Sequence, residues 1–371
     1  MKRIKVGIQT FFQNNYGAVL QAYALKSYIE ESCSGDVEVI NFTTDNHLKT
    51  FKVFKKNAGG NIAATIAKNI ILFIRYGRIK RQYKRINAFK NKHLNLTRRY
   101  SSMEDMFNNM PEEDVYVTGS DQVFNPKSPY MPVYYLSFDK KGKKKVAYAP
   151  SFGISEFTQE LTDKISSLLK DFDALSCREQ VGADYMASIV GNPVPSVVDP
   201  VLLLDSSRWS KVAAPVNLKY KYIFVYDRNG GNNLLNLAKR LSKETKLPIV
   251  VISADNCCLY GVKKKIFDAG PEEFIGYIKK AEYVVTDSFH GTMFSLIFGK
   301  QFYVYPAIPS LFSRIENVLC KLGLQERIVR KEEINNFTIK KNGREIVIPN
   351  TFVQDSKNYL YGAINKKDKE D

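Results

Sequence analysis

Apolar positions along the chain recur with two periods, and the period switches repeatedly. The chain opens on RIKVGIQ, which reads as a strand, followed by a polar Gly/Asn loop. In the next stretch, AVLQAYALKSYIEES, Val19, Leu20, Tyr23, Ala24 and Tyr28 recur at helical spacing. VEVINF reads as the second strand. A strand, a tight polar loop and a helix form the opening unit of a doubly wound α/β domain. DVYVTGSD and KKVAYAPSFG are two further strands, each running into a Gly/Ser loop. DALSCREQVGADYM predicts a short strand entering a helix, and PSVVDPVLLL another strand with a turn.

Near Asp205–Pro215 the pattern becomes polar and contains proline, which places a domain boundary there. A second alternation follows: KYIFVYD, NNLLNLAKRLSKET, LPIVVIS, GPEEFIGYIKKA, EYVVTD, GTMFSLIFG, QFYVYP and RIENVLCKLGL. Strands alternating with helices of about 10–15 residues predict parallel sheets with right-handed crossovers. The expectation is an α/β protein with two Rossmann-like domains facing across a cleft. The first spans 1–205, the second 206–340, and 341–371 is an extension whose charged tail frays. No internal repeat or low-complexity tract interrupts this pattern.

Charge adds one feature. Lys and Arg number 55 against 38 Asp and Glu, a formal +17. Residues 46–103 contain no acidic residue, and Ile62, Ile66, Ile70 and Ile74 lie four apart within them. This basic, helical segment attracts anions: nucleic acid, anionic headgroups or phosphorylated substrates. The basic residues lack the interleaved stacking platform of a single-strand binder, and no helix-turn-helix signature is visible, so nucleic acid is not the expected partner. Five scattered cysteines, including vicinal Cys257 and Cys258, form no disulfide or zinc framework and fit a reducing cytoplasm. The basic N-terminus lacks an apolar signal core, and no run of 18 apolar residues occurs. A cytoplasmic protein is expected, meeting a membrane only at its surface.

The candidate chemistry lies in loops after strands. Asn14, Asn15 and Gly17 precede the first helix, where free amides suit an anion or a sugar hydroxyl, or form a plain N-cap. Asp121 and Asn125, in VTGSDQVFNP, are placed to hold a sugar hydroxyl or to turn the chain. Arg178, in SCREQVG, suits a carboxylate or phosphate, or a surface ion pair with Glu179. His290 follows the strand ending at Asp287, with Ser288 and Thr292 adding hydroxyls at the same junction. It is one of three histidines, and imidazole titrates near neutrality; a satisfied core histidine is the alternative. Dinucleotide, Walker and nucleophile-elbow motifs are missing, as is any strong metal cluster, so a metal-independent reaction is favoured.

Taken in order, NNYGAVLQAYAL, GSDQVFNP, YAPSFG, CREQVG, VVDPVLLL and TDSFHGTMFSLIFGKQF resemble the polysaccharide pyruvyl transferase family from about Lys5 to Arg327. The resemblance implies a GT-B-like fold with no cofactor. It implies a pyruvyl group moved from the co-substrate phosphoenolpyruvate to two hydroxyls of one sugar, making a pyruvate ketal. Arg178 matches the arginine of the family's S-x-R-E/D stretch, and His290 the histidine of its S-R-L-H stretch. The resemblance makes His290 the acid/base group and Arg178 the donor anion's partner. Asp121 and Asn125, with Asn15 and Gly17, then belong to the acceptor side. Ser288 stands where the family's second arginine often lies, so Arg228 and Arg314 become candidates for that donor contact. A lipid-linked oligosaccharide acceptor would give the basic segment an anionic membrane to touch. The runner-up is a glycosyltransferase of the same architecture using a nucleotide sugar.

Overall fold

The computed structural model describes residues 3–13, 15–33, 35–48, 62–139, 142–154, 156–229, 231–253, 260–339 and 346–365. Asn14, most of the segment 46–61, Cys257, Cys258 and the tail beyond 365 lie outside the described residues, as do the side chains of the isoleucine stripe at 62–74.

Two five-stranded parallel sheets form the frame. The first contains β1 (Lys5–Gln9), β2 (Asp36–Phe42), β3 (Leu96–Tyr100), β4 (Val115–Thr118) and β5 (Lys144–Ala147), in the order β3-β2-β1-β4-β5. The second contains β6 (Ile223–Asp227), β7 (Ile249–Ser253), β8 (Lys264–Ile266), β9 (Tyr283–Thr286) and β10 (Gln301–Val304), in the order β10-β9-β6-β7-β8. The central strands VYVT and IFVYD are buried along their whole length. Continuous apolar runs of this kind arise where helices cover both faces of a parallel sheet. Registers such as Ile8 with Val117 and Val225 with Val285 align the strand ends.

In each sheet the strand order reverses once, between β1 and β4 and between β6 and β9. Loops diverge at such a switch point and leave a crevice beyond the carboxyl ends of the strands. The segments that leave these four strands carry Asn15, Asp121 and Arg228 in loops and His290 in the first turn of a helix.

The lobes share one core. Tyr16, on helix Tyr16–Ser32, stacks on Phe274 of the second lobe at 5.0 Å between ring centroids. Its hydroxyl donates to the Ala269 carbonyl at 2.7 Å and accepts from Gln82 at 2.6 Å. Gln82 belongs to helix Ile62–His93, which leans on the acidic start of helix Pro271–Lys280. Arg81 pairs with Asp268 at 2.8 Å, Arg85 with Glu273 at 3.3 Å and Lys92 with Glu272 at 3.0 Å. Several charges of the basic segment thus bind the protein itself.

The structure departs from the sequence pattern in three places. The basic segment is not helical throughout, because Leu96–Tyr100 pairs with β2 as an edge strand. VVDPVLLL is not a strand: Asp199 accepts from the Val201 amide, and Pro200 starts the 3-10 turn Pro200–Leu203. The C-terminal stretch contains helix Asn350–Asn365, which returns to the first lobe; Tyr359 donates to the Ala147 carbonyl at 3.0 Å. Among the described residues no helix is long and apolar enough to cross a membrane.

Candidate active site

Two helix N-termini meet between the lobes. Helix Phe289–Ile297 follows β9 and is capped by Ser288, whose hydroxyl accepts from the Gly291 amide at 3.3 Å. Helix Tyr16–Ser32 follows β1 and is capped by Asn15, which accepts from the Gly17 amide at 3.0 Å. His290 stands in the first turn of one helix and Gly17 in the first turn of the other. A Cβ at Gly17 would lie 2.0 Å from His290 Nδ1, so only glycine leaves room for the ring. Both helix dipoles present their positive ends here.

The other edge of the imidazole faces a buried carboxylate. Asp199 Oδ2 is 3.8 Å from His290 Nε2 and accepts from Arg178 Nη1 at 2.9 Å and from the Ser120 hydroxyl at 3.3 Å. Its second oxygen accepts from the Val201 amide at 3.1 Å. Asp199 therefore joins the guanidinium and the imidazole, which come from opposite lobes. Burial pulls the His290 pKa below the ordinary histidine value, against the opposing pull of Asp199 and Asp121. The ring is thus neutral near pH 7. Burial also works against the charge on Arg178, but Glu179 and Asp199 outweigh it and raise its pKa.

Phe289 lies within reach of two cations. The guanidinium carbon of Arg178 is 5.0 Å from the ring centroid and that of Arg314 is 5.9 Å. Arg314 belongs to helix Pro309–Lys321, and burial followed by repulsion from Arg178 lowers its pKa. A cavity of about 120 Å³ opens beside His290, lined by Asn15 and Asp121 from the first lobe and by Arg228, Ser288 and Arg314 from the second. Asp121 has φ +76°, a backbone conformation non-glycine residues seldom adopt, and it accepts from the Gln122 amide at 2.9 Å. Asp287 anchors the opposite rim by accepting from the Arg228 and Asn229 amides at 2.9 and 3.0 Å. Among the described residues no group of three metal-ligating side chains is placed to hold an ion.

Most of the candidates gather here, in different ways. His290, Ser288, Arg228, Arg314, Asn15 and Asp121 line this cavity; Gly17 shapes it from behind the imidazole. The Ser288 hydroxyl also serves as a helix cap. Arg178 reaches Asp199 and Phe289 but opens into the adjoining cavity. Asn125 lines neither cavity: its amide group donates to Gln122 at 3.4 Å and accepts from the Lys127 amide at 3.0 Å, as a turn residue does. Asp199, Phe289 and Asp287 were not singled out from the sequence. The one local signal for Asp199 was an acid set between an apolar run and a proline, VVDP.

Comparison with known proteins places this geometry. A family model described as polysaccharide pyruvyl transferase matches residues 15–306. No curated protein sequence matches the chain. Among solved structures, one provisionally described as a UDP-N-acetylglucosamine 2-epimerase from Listeria monocytogenes aligns with a TM-score of 0.52 at 12% identity, covering 98% of this chain and 96% of that one. UDP-N-acetylglucosamine 2-epimerases from Rickettsia bellii and Methanocaldococcus jannaschii each align with a TM-score of 0.50. The first is 11% identical over 98% of this chain and 96% of its own, the second 12% over 97% and 100%. At this identity the likeness is one of fold, two facing Rossmann-like lobes of the GT-B kind.

Proposed function

The chain belongs to the polysaccharide pyruvyl transferase family, and we propose that it transfers a pyruvyl group from phosphoenolpyruvate to two hydroxyls of one sugar, forming a cyclic ketal in bacterial surface or exopolysaccharide. The observation that carries this reading is the partly buried His290, which opens into the cleft next to Phe289, itself in contact with the guanidiniums of Arg178 and Arg314.

A first sugar hydroxyl attacks C2 of the donor, and its proton passes through His290 to C3. The C2–O bond to phosphorus then breaks with its electron pair leaving on phosphate. The second hydroxyl closes the ring on the oxocarbenium carbon, and its proton balances the departing phosphate. His290 holds the acid/base role, because a neutral imidazole is ready to take the first hydroxyl's proton. Asp199 steadies the imidazolium that results. Arg178 and Arg314 offset the donor's negative charges, and Arg228 lies on the rim of the same cavity. Asp121 and Asn15 face His290 from the first lobe and orient the acceptor, either a free sugar or a lipid-linked oligosaccharide. Lys80 and Lys84 are exposed on helix Ile62–His93 and are available to an anionic leaflet carrying such an acceptor.

Thermal denaturation with added ligands tests the donor. Phosphoenolpyruvate is expected to raise the melting temperature, with UDP and GDP sugars leaving it unchanged. Stabilisation by a nucleotide sugar alone would identify a glycosyltransferase instead.

A further inference from the structure

At the end of the first sheet remote from the cleft, a polar cavity of about 480 Å³ opens along the strand ends. Lys5 begins β1, Asp36 begins β2, Leu96 begins β3 and Glu113 lies two residues ahead of β4; all four line the space. The loops that carry Asn15 and Asp121 leave the other ends of these strands, so the cavity takes no part in the site described above.

The strand register builds its floor. Lys5 pairs with Asp36, and Gly7 with Glu38. Residues two apart on a strand share a face, so Lys5, Asp36 and Glu38 project on the side where Gly7 presents only a hydrogen. Glu113 uses that opening: a Cβ at Gly7 would lie 2.7 Å from its Cγ. Its side chain is laid over the sheet beside Glu38, and the residue is only 4% exposed. Among the described residues the carboxyl groups of Glu113, Glu38 and Asp36 make no hydrogen bond or ion pair. Burial and then Glu38 push the Glu113 pKa up to about 7, with Lys5 opposing and Asp36 and Asp114 adding to the rise.

The cations at hand do not neutralise this group. Arg98 is committed to Asp105 at 2.9 Å and to the face of Tyr100 at 4.2 Å. Lys5 is exposed, and its amide rather than its ammonium holds Asp114, at 2.9 Å. Glu112 adds a further acid to the lining. An acidic hollow thus sits on a chain whose formal charge is +17. A carboxylate as buried as Glu113 is costly unless it is protonated or paired. A metal ion needs oxygens converging on one point, and among the described residues no group of three metal-ligating side chains is so placed. An ammonium group is less exacting, because it brings three N–H donors and can bond carboxylates one at a time.

We infer that this cavity binds an aliphatic polyamine, with one ammonium group between Glu113 and Glu38, another at Asp36, and the connecting methylenes against Leu96 and Pro111.

The site is separate from the pyruvyl transfer proposed above, and binding is read without turnover. Calorimetric titration of the full chain with spermidine is expected to show one site, since the basic surface elsewhere repels a polycation. Glu113→Gln and Glu38→Gln keep the side-chain shape and each remove a carboxylate. Each should weaken spermidine at least tenfold while melting within a few degrees of the parent. The ligand takes the ionised form of Glu113, so affinity for the parent should rise as the pH passes upward through about 7 and stay nearly flat in Glu113→Gln. Failure of spermidine to bind, unchanged affinity in both variants, or binding of magnesium with spermidine inert overturns the assignment.

Discussion

Gly17 and His290 meet edge to backbone across the two lobes, with the imidazole filling the space a side chain at position 17 would need. The contact joins the first turns of two helices from different sheets, so the position of the ring depends on how the lobes pack. Gly17→Ala must push His290 aside, because a methyl at 2.0 Å from Nδ1 cannot be accommodated. A displacement of about 1 Å costs on the order of 100-fold in rate. Turnover should therefore fall by about that factor, with far-ultraviolet circular dichroism unchanged. A fully active Gly17→Ala enzyme would show that the ring's position is unimportant.

Asp199 links Arg178 to His290, and it is fully buried with both oxygens engaged. Asp199→Asn keeps the shape and removes the charge, leaving Arg178 buried without its main counterion. Breaking a buried pair in this way costs about 3–5 kcal/mol. Urea denaturation should show a loss of that order. The His290 pKa should fall further, since Asp199 is the main group raising it. An NMR titration of the imidazole checks the second outcome.

All three histidines are held below the ordinary histidine pKa, chiefly by burial. The unfolded chain then binds more protons as the pH drops through about 6.5, the unperturbed value. Their contribution to stability is present above that pH and is lost below it. Glu113 acts in the opposite sense: burial and the nearby Glu38 push its pKa up to about 7. Its contribution is present at acid pH and is lost as the pH rises through 7. Glu113→Gln should thus stabilise the protein relative to the parent at pH 8, and the difference should shrink toward pH 5. Melting temperatures across that range measure both effects.

The Tyr16 hydroxyl is a stronger tie between lobes than the exposed ion pairs of the basic helix. Tyr16→Phe leaves the Ala269 carbonyl and the Gln82 amide group without their partner, a cost of about 1–3 kcal/mol. Arg81 is largely exposed, so Arg81→Ala is expected to cost no more than about 1 kcal/mol. Parallel urea titrations rank the two, and a larger loss in Arg81→Ala would reverse this ordering.

The frame was legible in the chain because its central strands are uninterrupted apolar runs, each followed by a polar loop. This is why Asn15, Asp121 and His290 stand out in the sequence: they follow β1, β4 and β9, whereas Arg228, after β6, enters only as a substitute for the arginine that Ser288 replaces. The edge strand Leu96–Tyr100 was hidden because LTRRY has the polarity of a solvated surface. Asp199 was hidden for another reason. Arg178 lies 21 residues away within the same lobe, but His290 comes from the other lobe and meets Asp199 only through the packing of the two. Asn125 shows the reverse case, a side chain suited to a sugar whose hydrogen bonds are used within its own turn.

Incubation with phosphoenolpyruvate and a panel of lipid-linked and nitrophenyl glycosides tests the central claim most directly. Released phosphate should be followed together with the mass of the glycoside. Glycoside-dependent phosphate release, matched by a product heavier by one pyruvate ketal and abolished in His290→Ala, is the predicted result. Undiminished release and ketal formation in His290→Ala, or transfer of a sugar from a nucleotide donor with phosphoenolpyruvate inert, would contradict it.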